Sequence, residues 1–484
     1  MGAPISYPPA DTQVLLADSA NLSPFNRLRV ADANTAFDSQ QEYGLDLLRT
    51  WDCTANGVLP TIIGPNGSVS SAGNAVGPTD SNTRMTPITA SATNGHYAIL
   101  QSRQYVRYIP GHGHLVFITG IFSTGSSPTV SIVVRGSVTG SAVDTAIAQA
   151  DWNQDRFDGT GTSGVTLDWS KTQNMIIDAQ MLYVGRVRVG FNIGGLILWA
   201  HFFNAANVNT APYAQTYNLP IRMEVRNTGA ATCVTRTGYF DSANGIFLEA
   251  SVGVAGGTSY FICCSVQTEG AKEARGFGKG ASNGITTVAV TTRRPVLTIR
   301  PRTTFQGRTN RGHAELIDVV LRATTNDSFY EVVVNGTLTG ASFIPIGDPV
   351  AAGSFIVGLR YVILTVGTTN FTLIGAASNT VNLPFTATGV GAGSGTAVVS
   401  SNIVEYDVSA SAISGGEIIT NGYAFSGTGT TSTLSGGDID VRNPLTLSQI
   451  DALTANQIPV SVVCTAFSGT SNVTAGLHWH EQTI

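Results

Sequence analysis

Charge is scarce in this chain. Asp, Glu, Lys and Arg make up 12% of its 484 residues, about half the share of an ordinary soluble domain, so much of its surface is expected to meet neighbours instead of water. Lysine is nearly missing. Lys171, Lys272 and Lys279 are the only lysines, and the other basic residues are arginine, whose planar fork suits contacts that lose water at an interface. A codon bias toward arginine would leave the same mark. The formal net charge is -5, with no basic run and no acidic tail, which argues against nucleic-acid binding. Cys53, Cys233, Cys263, Cys264 and Cys464 show no CxxC spacing and an odd count, which excludes a zinc ribbon and a secreted disulfide framework and reads as buried free thiols. Apolar runs long enough to cross a bilayer as a helix are also lacking, and MGAPISYPPADTQ has neither the basic start nor the apolar run of a signal peptide. These absences predict a protein made in the cytoplasm and used after assembly, with no membrane partner.

What is abundant is the vocabulary of strands and turns. There are 54 glycines, and from His96 onward one segment after another alternates apolar and polar residues: HYAILQSRQYVRY, HLVFITGIF, TVSIVVRGSV, MLYVGRVRVGF, LILWAHFF and LPIRMEV. Alternation of period two is how half-buried strands are written. In GRVRVGF, Arg186 and Arg188 share one face and Val187 and Val189 the other. Cys263 and Cys264, being adjacent, point to opposite faces. Gly336, Gly340, Gly415, Gly416, Gly436 and Gly437 read as hairpin or bulge positions. About fifteen short strands at this spacing predict an all-β chain of β-sandwich or jelly-roll layers. Residues 1–95, with Pro4, Pro8, Pro9 and Pro24, read as an extended N-terminal arm that would need a partner surface or its own body to order it. Residues 96–345 read as the main body, 351–399 as an inserted small β module, and 400–484 as strands that complete the body or form a second domain. Two short helices are expected, at 40–51 and at 445–456, the latter capped by Thr446 or Ser448.

Several of these segments carry a resemblance. DWNQDRFDGTGTSGVTLDWSKTQN (151–174), GRVRVGF, LPIRMEVRNTG, SPFNRLRVADANTAFDSQQEYG (23–44), YFICCSVQTEG (260–270) and EYDVSASAISGGEIITNGY (405–423) together resemble a family of tailed-bacteriophage virion structural proteins, in the family's order and over most of the chain. GLRYVILTVGTTNFTLIGAASNTVNLPFTATGVGAGSGTAV resembles a small β module inserted at various places in phage structural proteins. The chain departs from the family pattern at Leu182-Tyr183 and Met223-Glu224-Val225. Those swaps keep apolar positions apolar, so they bear on ligand specificity more than on fold. The resemblance implies a virion subunit made in the host cytoplasm, contacting other capsid or tail proteins and forming a homo-oligomer, with a trimer favoured.

Candidate chemistry is sparse. His478 and His480 stand two apart on a terminal strand, so both imidazoles share a face and could meet one metal ion, which the resemblance to phage fibres and spikes implies would lie on a three-fold axis; two exposed histidines is the bland alternative. His112 and His114 have the same spacing beside the Pro110-Gly111 turn. Asp151, Asp155, Asp158 and Asp168 cluster in sequence, and a glycan hydrolase would need two such acids with one pKa raised. Turn-rich DGTGTSG points instead to loop capping. Trp152 and Trp169 flank that loop as core or sugar-stacking rings, core being favoured, and Trp199, Phe202 and Phe203 in LILWAHFFNAAN could line a glycan groove. No GxSxG, no phosphate-binding glycine loop and no long solenoid repeat is present. The expectation is a non-enzyme with no cofactor: a virion structural subunit, as head decoration or tail or collar appendage, ahead of a receptor- or glycan-binding fibre, with a glycan-cleaving tailspike third.

Overall fold

The computed structural model describes residues 34–47, 50–60, 66–109, 112–125, 128–180, 184–229, 232–268, 277–306, 308–426, 445–446 and 457–482. Among them are thirty-five strands, two one-turn 3₁₀ segments and no α-helix, as the period-two patterning predicts. Many strands have only two or three residues, which is why the sequence suggested fewer. The chain divides into two compact units, residues 1–273 with 448–454 and residues 274–447 with 455–484.

The first unit is a sandwich of two antiparallel sheets. One sheet runs, in spatial order, Leu196–Phe203, Val187–Ile193, Gln173–Gln180, Gly113–Ile121, Gly257–Thr268, Thr86–Ala90, Asn74–Val76 and Val69–Ser71, with Asn34–Gln40 also pairing with Gly257–Thr268. The other runs Trp51–Ala55, Tyr97–Ser102, Ile221–Asn227, Cys233–Phe240, Gly245–Ser251, Val130–Gly136 and Val143–Ala148. Val116, Ile118, Met175, Ile177, Val187 and Val189 of the first meet Ile132, Ile221, Met223, Val225 and Leu248 of the second in one buried core. Each such side chain contributes about 1.5–3 kcal/mol relative to exposure. Cys264 belongs to that core and Cys263 does not, as strand alternation requires.

The extended-arm reading is corrected for residues 34–95. This stretch supplies strands to both sheets, and its Trp51 is wedged edge-on against Phe37 and Phe261 while its Nε1 donates to Ser39 Oγ at 2.8 Å. Prolines broke the helical pattern there, but the strands between them are too short to read from alternation. Residues 1–33 lie outside the described residues. The helix expected at 40–51 is likewise not formed by its described residues: they make a turn and then the first residue of Trp51–Ala55. Of the side expected to be apolar, Leu45 and Trp51 are buried nonetheless, while Leu48 lies outside the described residues. Of the helix expected at 445–456, Leu445–Thr446 is a strand; the remainder, with Gly436 and Gly437, lies outside the described residues.

The second unit also layers two sheets, and it begins at 273/274, inside the stretch 96–345 expected to be one main body. One sheet runs Phe277–Ser282, Ser471–Gln482, His313–Ala323 and Leu445–Thr446, with Val288–Val290 pairing with Ser471–Gln482; the other runs Ile344–Pro345, Val404–Asp407, Arg294–Pro301, Val460–Ala466, Ser328–Val334 and Glu417–Ala424. Contacts between Arg294–Pro301 and Ser471–Gln482 join them. Gly415 and Gly416 turn the chain into Glu417–Ala424 with left-handed φ of 64° and 80°, which glycine adopts without a Cβ penalty.

Within this unit, residues 350–399 form a four-stranded sheet of their own: Val350–Ala351, Thr396–Val399, Arg360–Thr365 and Pro384–Thr386. Their core is separate, built of Phe355, Tyr361, Ile363, Phe371 and Phe385. Gly375 closes the single turn Phe371–Ile374 at φ 104°, and a Cβ there would sit 2.2 Å from the Thr386 carbonyl oxygen. The first and last strands pair, Val350 opposite Ala397, so the chain enters and leaves the module side by side.

Candidate functional site

In the first unit, the second sheet turns its core face inward and a row of charges outward. On Ile221–Asn227 alternation buries Ile221, Met223 and Val225 in the core and places Arg222, Glu224 and Arg226 on the opposite face. Antiparallel register then sets Glu224 across from Arg236, and Arg236 across from Glu249, the pairing of opposite charges that stabilises neighbouring strands. Arg222 donates through Nε (3.0 Å) and Nη2 (2.6 Å) to Glu224, and through Nη1 to Gln101 Oε1 at 3.0 Å. Arg236 bridges Glu224 at 2.8 Å and Glu249 at 2.6 Å. At the far edge Arg135 takes both oxygens of Asp144, at 2.7 and 2.8 Å.

Aromatic rings back the guanidinium groups. Arg222 lies 5.5 Å from the Phe240 ring, while Arg135 and Arg236 lie 4.9 and 5.6 Å from Phe247. Between them is a pocket of about 240 Å³ lined by Arg135, Asp144, Arg222, Glu224, Arg226 and Arg236. Glu224 is 1% exposed. Burial by itself would raise its pKa, but the guanidinium groups of Arg222, Arg236 and Arg226 more than offset this and hold the carboxyl well below its usual range. The pocket therefore presents fixed donors and acceptors side by side. It can hold a polar, hydroxyl-rich group, and Ser242 also lines it.

The outward face of the first sheet follows the same plan. Arg186 and Arg188 do share a face, opposite the buried Val187 and Val189. Arg188 donates to Asp178, both 1% exposed, and lies 4.4 Å from the Trp199 ring. Leu115, Ile176 and Trp199 cluster there, with Phe117, Ile197 and Phe202 packed against them. The LILWAHFF segment thus spends Trp199 on a buried cluster.

Three of the four clustered aspartates cap loops, while Asp151 ends the 3₁₀ turn Gln149–Asp151. Asp155 accepts from the Phe157 N–H at 2.8 Å and the Ser163 N–H at 2.6 Å. Asp158 accepts from Thr160 N–H and Oγ1, and Asp168 from Ser170 N–H and Oγ. Those side-chain and backbone donors lower the pKa of Asp158 and Asp168, the opposite of what a general acid needs. Trp152 and Trp169 are buried, with ring centroids 6.4 Å apart in a T-shaped pair, and pack with Phe157 and Phe191.

Neither histidine pair builds a metal centre by itself. His478 and His480 do lie on one face of Ser471–Gln482, where His478 is exposed and pairs with Asp318 directly across the strand ladder. His114 is fully buried and its Nδ1 lies 3.0 Å from the Tyr239 hydroxyl; burial lowers its pKa to about 4. Among the described residues no group of three or more His, Cys, Asp and Glu side chains could hold a metal ion. Sequence reasoning missed the Arg222–Glu224–Arg236–Glu249 ladder. Its one local signal is the alternating Arg-Glu-Arg of IRMEVRN, whose partners only register reveals.

No family model matches the chain, and no curated protein does. Solved structures with some likeness include a lectin from Bauhinia forficata in complex with GalNAc, at 10% identity over 49% of this chain and 99% of that one, with a TM-score of 0.15. A protein assigned as a beta-glucanase from Mycobacterium abscessus has 11% identity over 48% and 100%, with a TM-score of 0.18. A triple jelly-roll protein from the turret assembly of an archaeal virus has 9% identity over 93% and 96%, with a TM-score of 0.14. At these TM-scores none of them bears on the function of this chain.

Proposed function

We propose that the chain is a structural subunit of a tailed-phage virion that acts by making contacts and not by turning over a substrate. The observation that carries this reading is the treatment of the outward sheet faces. Arg188–Asp178 and Arg222–Glu224 are each 1% exposed, so charges that an independent sandwich would leave in water are withdrawn into rigid, aromatic-backed pairs. Buried ion pairs gain little net stability but fix geometry, which suits a part that must present the same surface to many copies of a neighbour. The low charge content and the virion-like segments point the same way. A particle image is the decisive experiment. Density for the chain at head vertices, lattice gaps, collar or tail is expected, and its absence from purified particles would sink the proposal.

A second reading, a glycan-binding appendage, is favoured by the pocket among Arg135, Arg222, Glu224 and Arg236. Titration of host-surface glycans against the intact chain tests it. Binding that weakens at least tenfold on Arg226→Ala, a residue at the pocket's more open side, is the expected result of this reading, and an unchanged isotherm counts against it.

A further inference from the structure

We infer that the second unit holds a small tetrahedral oxyanion of the phosphate class between Arg302 and Arg360, where the 350–399 module meets the rest of that unit. The inference goes beyond the virion reading and does not rest on it. Strand alternation sets the site. Tyr361 and Ile363 face the module's aromatic core, so Arg360 and Val362 face the other way, as does Val398, which pairs with Val362. That second face is closed to water: Val362 and Val398 are fully buried, and Ser400, just past them, is buried too. The Ser400 N–H donates to the Arg360 carbonyl at 3.0 Å, and its own carbonyl accepts from Gln306 Nε2 at 2.5 Å. Its hydroxyl accepts from Arg302 Nη1 at 3.4 Å. Ser400 thus stands between Arg302, just past the strand Arg294–Pro301, and Arg360, the first residue of Arg360–Thr365.

These two guanidinium groups lack a counter-charge. Arg302 is 6% exposed, and its side chain brings N–H donors in a fixed fork and a charge it cannot give up. Among the described residues its one hydrogen bond is the contact with Ser400, at the long limit of such bonds. Arg360 keeps a buried Nε that has no acceptor. Among the described residues neither arginine forms an ion pair, because the nearby acids are committed elsewhere. Glu405 accepts from Arg300 Nε at 2.7 Å and from Gln457 Nε2 at 3.3 Å. Glu481 accepts from the Ile403 N–H at 3.2 Å and from Trp479 Nε1 at 3.4 Å, and burial raises its pKa. Burial, with the Arg360 charge beside it, outweighs the pull of Glu405 and Glu481 and lowers the pKa of Arg302. A buried charge in that condition is costly unless something pairs with it.

An oxyanion supplies what is missing. Planar guanidinium forks match the oxygens of a phosphate or sulfate and can each give it two parallel hydrogen bonds. The Ser400 hydroxyl, an acceptor toward Arg302, still has its own proton to donate. The enclosure of Arg302 selects a small free ion over a phosphate carried on a polymer. Bound there, the ion links a side chain of the module to one of the larger sheet and fastens the two together.

The test uses the full chain, equilibrated with inorganic phosphate and then dialysed against chloride at equal ionic strength. Phosphate still bound is counted after acid release, and uptake of added phosphate is followed by titration calorimetry. Together they are expected to give one ion per chain, displaced by sulfate and not by chloride. Arg302→Gln is expected to weaken phosphate binding at least tenfold. If that variant fails to fold, Arg360→Gln decides, since its side chain is only partly buried; it is expected to weaken binding to the same extent. Arg156→Gln, exposed in the other unit, is expected to change nothing. No phosphate retained or taken up would mean that water satisfies both guanidinium groups. That result, binding indifferent to Arg360→Gln, or equal displacement by chloride would overturn the inference.

Discussion

Glu224 shows how one side chain can hold a whole sheet face. Its carboxylate faces Arg222, Arg236 and Arg226, and removing it leaves buried guanidinium groups uncompensated. Glu224→Gln is therefore expected to cost about 3–5 kcal/mol in urea unfolding, far more than a solvated surface substitution. The pH dependence follows from the lowered pKa. A carboxyl held below its unfolded value of about 4.3 contributes stability that is fully present above that pH and is lost as pH falls toward the folded value. The wild type should lose stability steadily below about pH 4.3, and Glu224→Gln should flatten that limb. His114 works over a different window. Its burial favours the neutral ring and lowers the pKa to about 4, against about 6.5 unfolded, so its contribution is complete above about pH 6.5 and declines as pH falls to about 4. Thermal midpoints measured between these limits should fall with acid in the wild type and fall less in His114→Phe. An unaltered slope in that variant would mean the ring is not responsible.

At the level of elements, the loop between Val143–Ala148 and Gln173–Gln180 is an ordered piece of core cover. Asp155 holds two of its backbone N–H groups, and Phe157 and Trp169 pack under it. Asp155→Ala should cost about 2 kcal/mol, read as a shift in urea midpoint, with no change in any binding measurement. The capping role was legible because turn residues surrounded the aspartates; the burial of Trp152 and Trp169 was legible only as a preference. The small module is a second case. A resemblance set it apart in the sequence, and the pairing of Val350 with Ala397 brings its two ends side by side. Replacing residues 351–399 by a short Gly-Ser turn should leave the pairing of Val404–Asp407 with Arg294–Pro301 intact, checked by soluble expression and strand circular dichroism. Aggregation of the excised form would show that the module is needed for folding.

For the molecule as a whole, the N-terminal fifth weighs most. Had residues 1–95 been a detachable arm, their removal would have cost only attachment. Because Trp51–Ala55, Thr86–Ala90 and their neighbours are strands of both sheets in the first unit, deleting residues 1–90 should abolish a cooperative thermal transition for that unit and not merely stop it joining particles. A soluble truncated body with native strand content would contradict this.

The sequence alone determined the class of structure, because alternation of period two is a local property and survives any arrangement of the strands. It determined that Val187 and Val189 face away from Arg186 and Arg188, for the same reason. Only the tertiary structure decided which strands lie side by side. Glu224 and Arg236 are twelve residues apart and Tyr423 and Phe467 forty-four, and nothing in the local pattern says which residue comes to lie beside which. Register brings the first two together to withdraw their charge from water, and the ending of a sheet leaves the second two in the open.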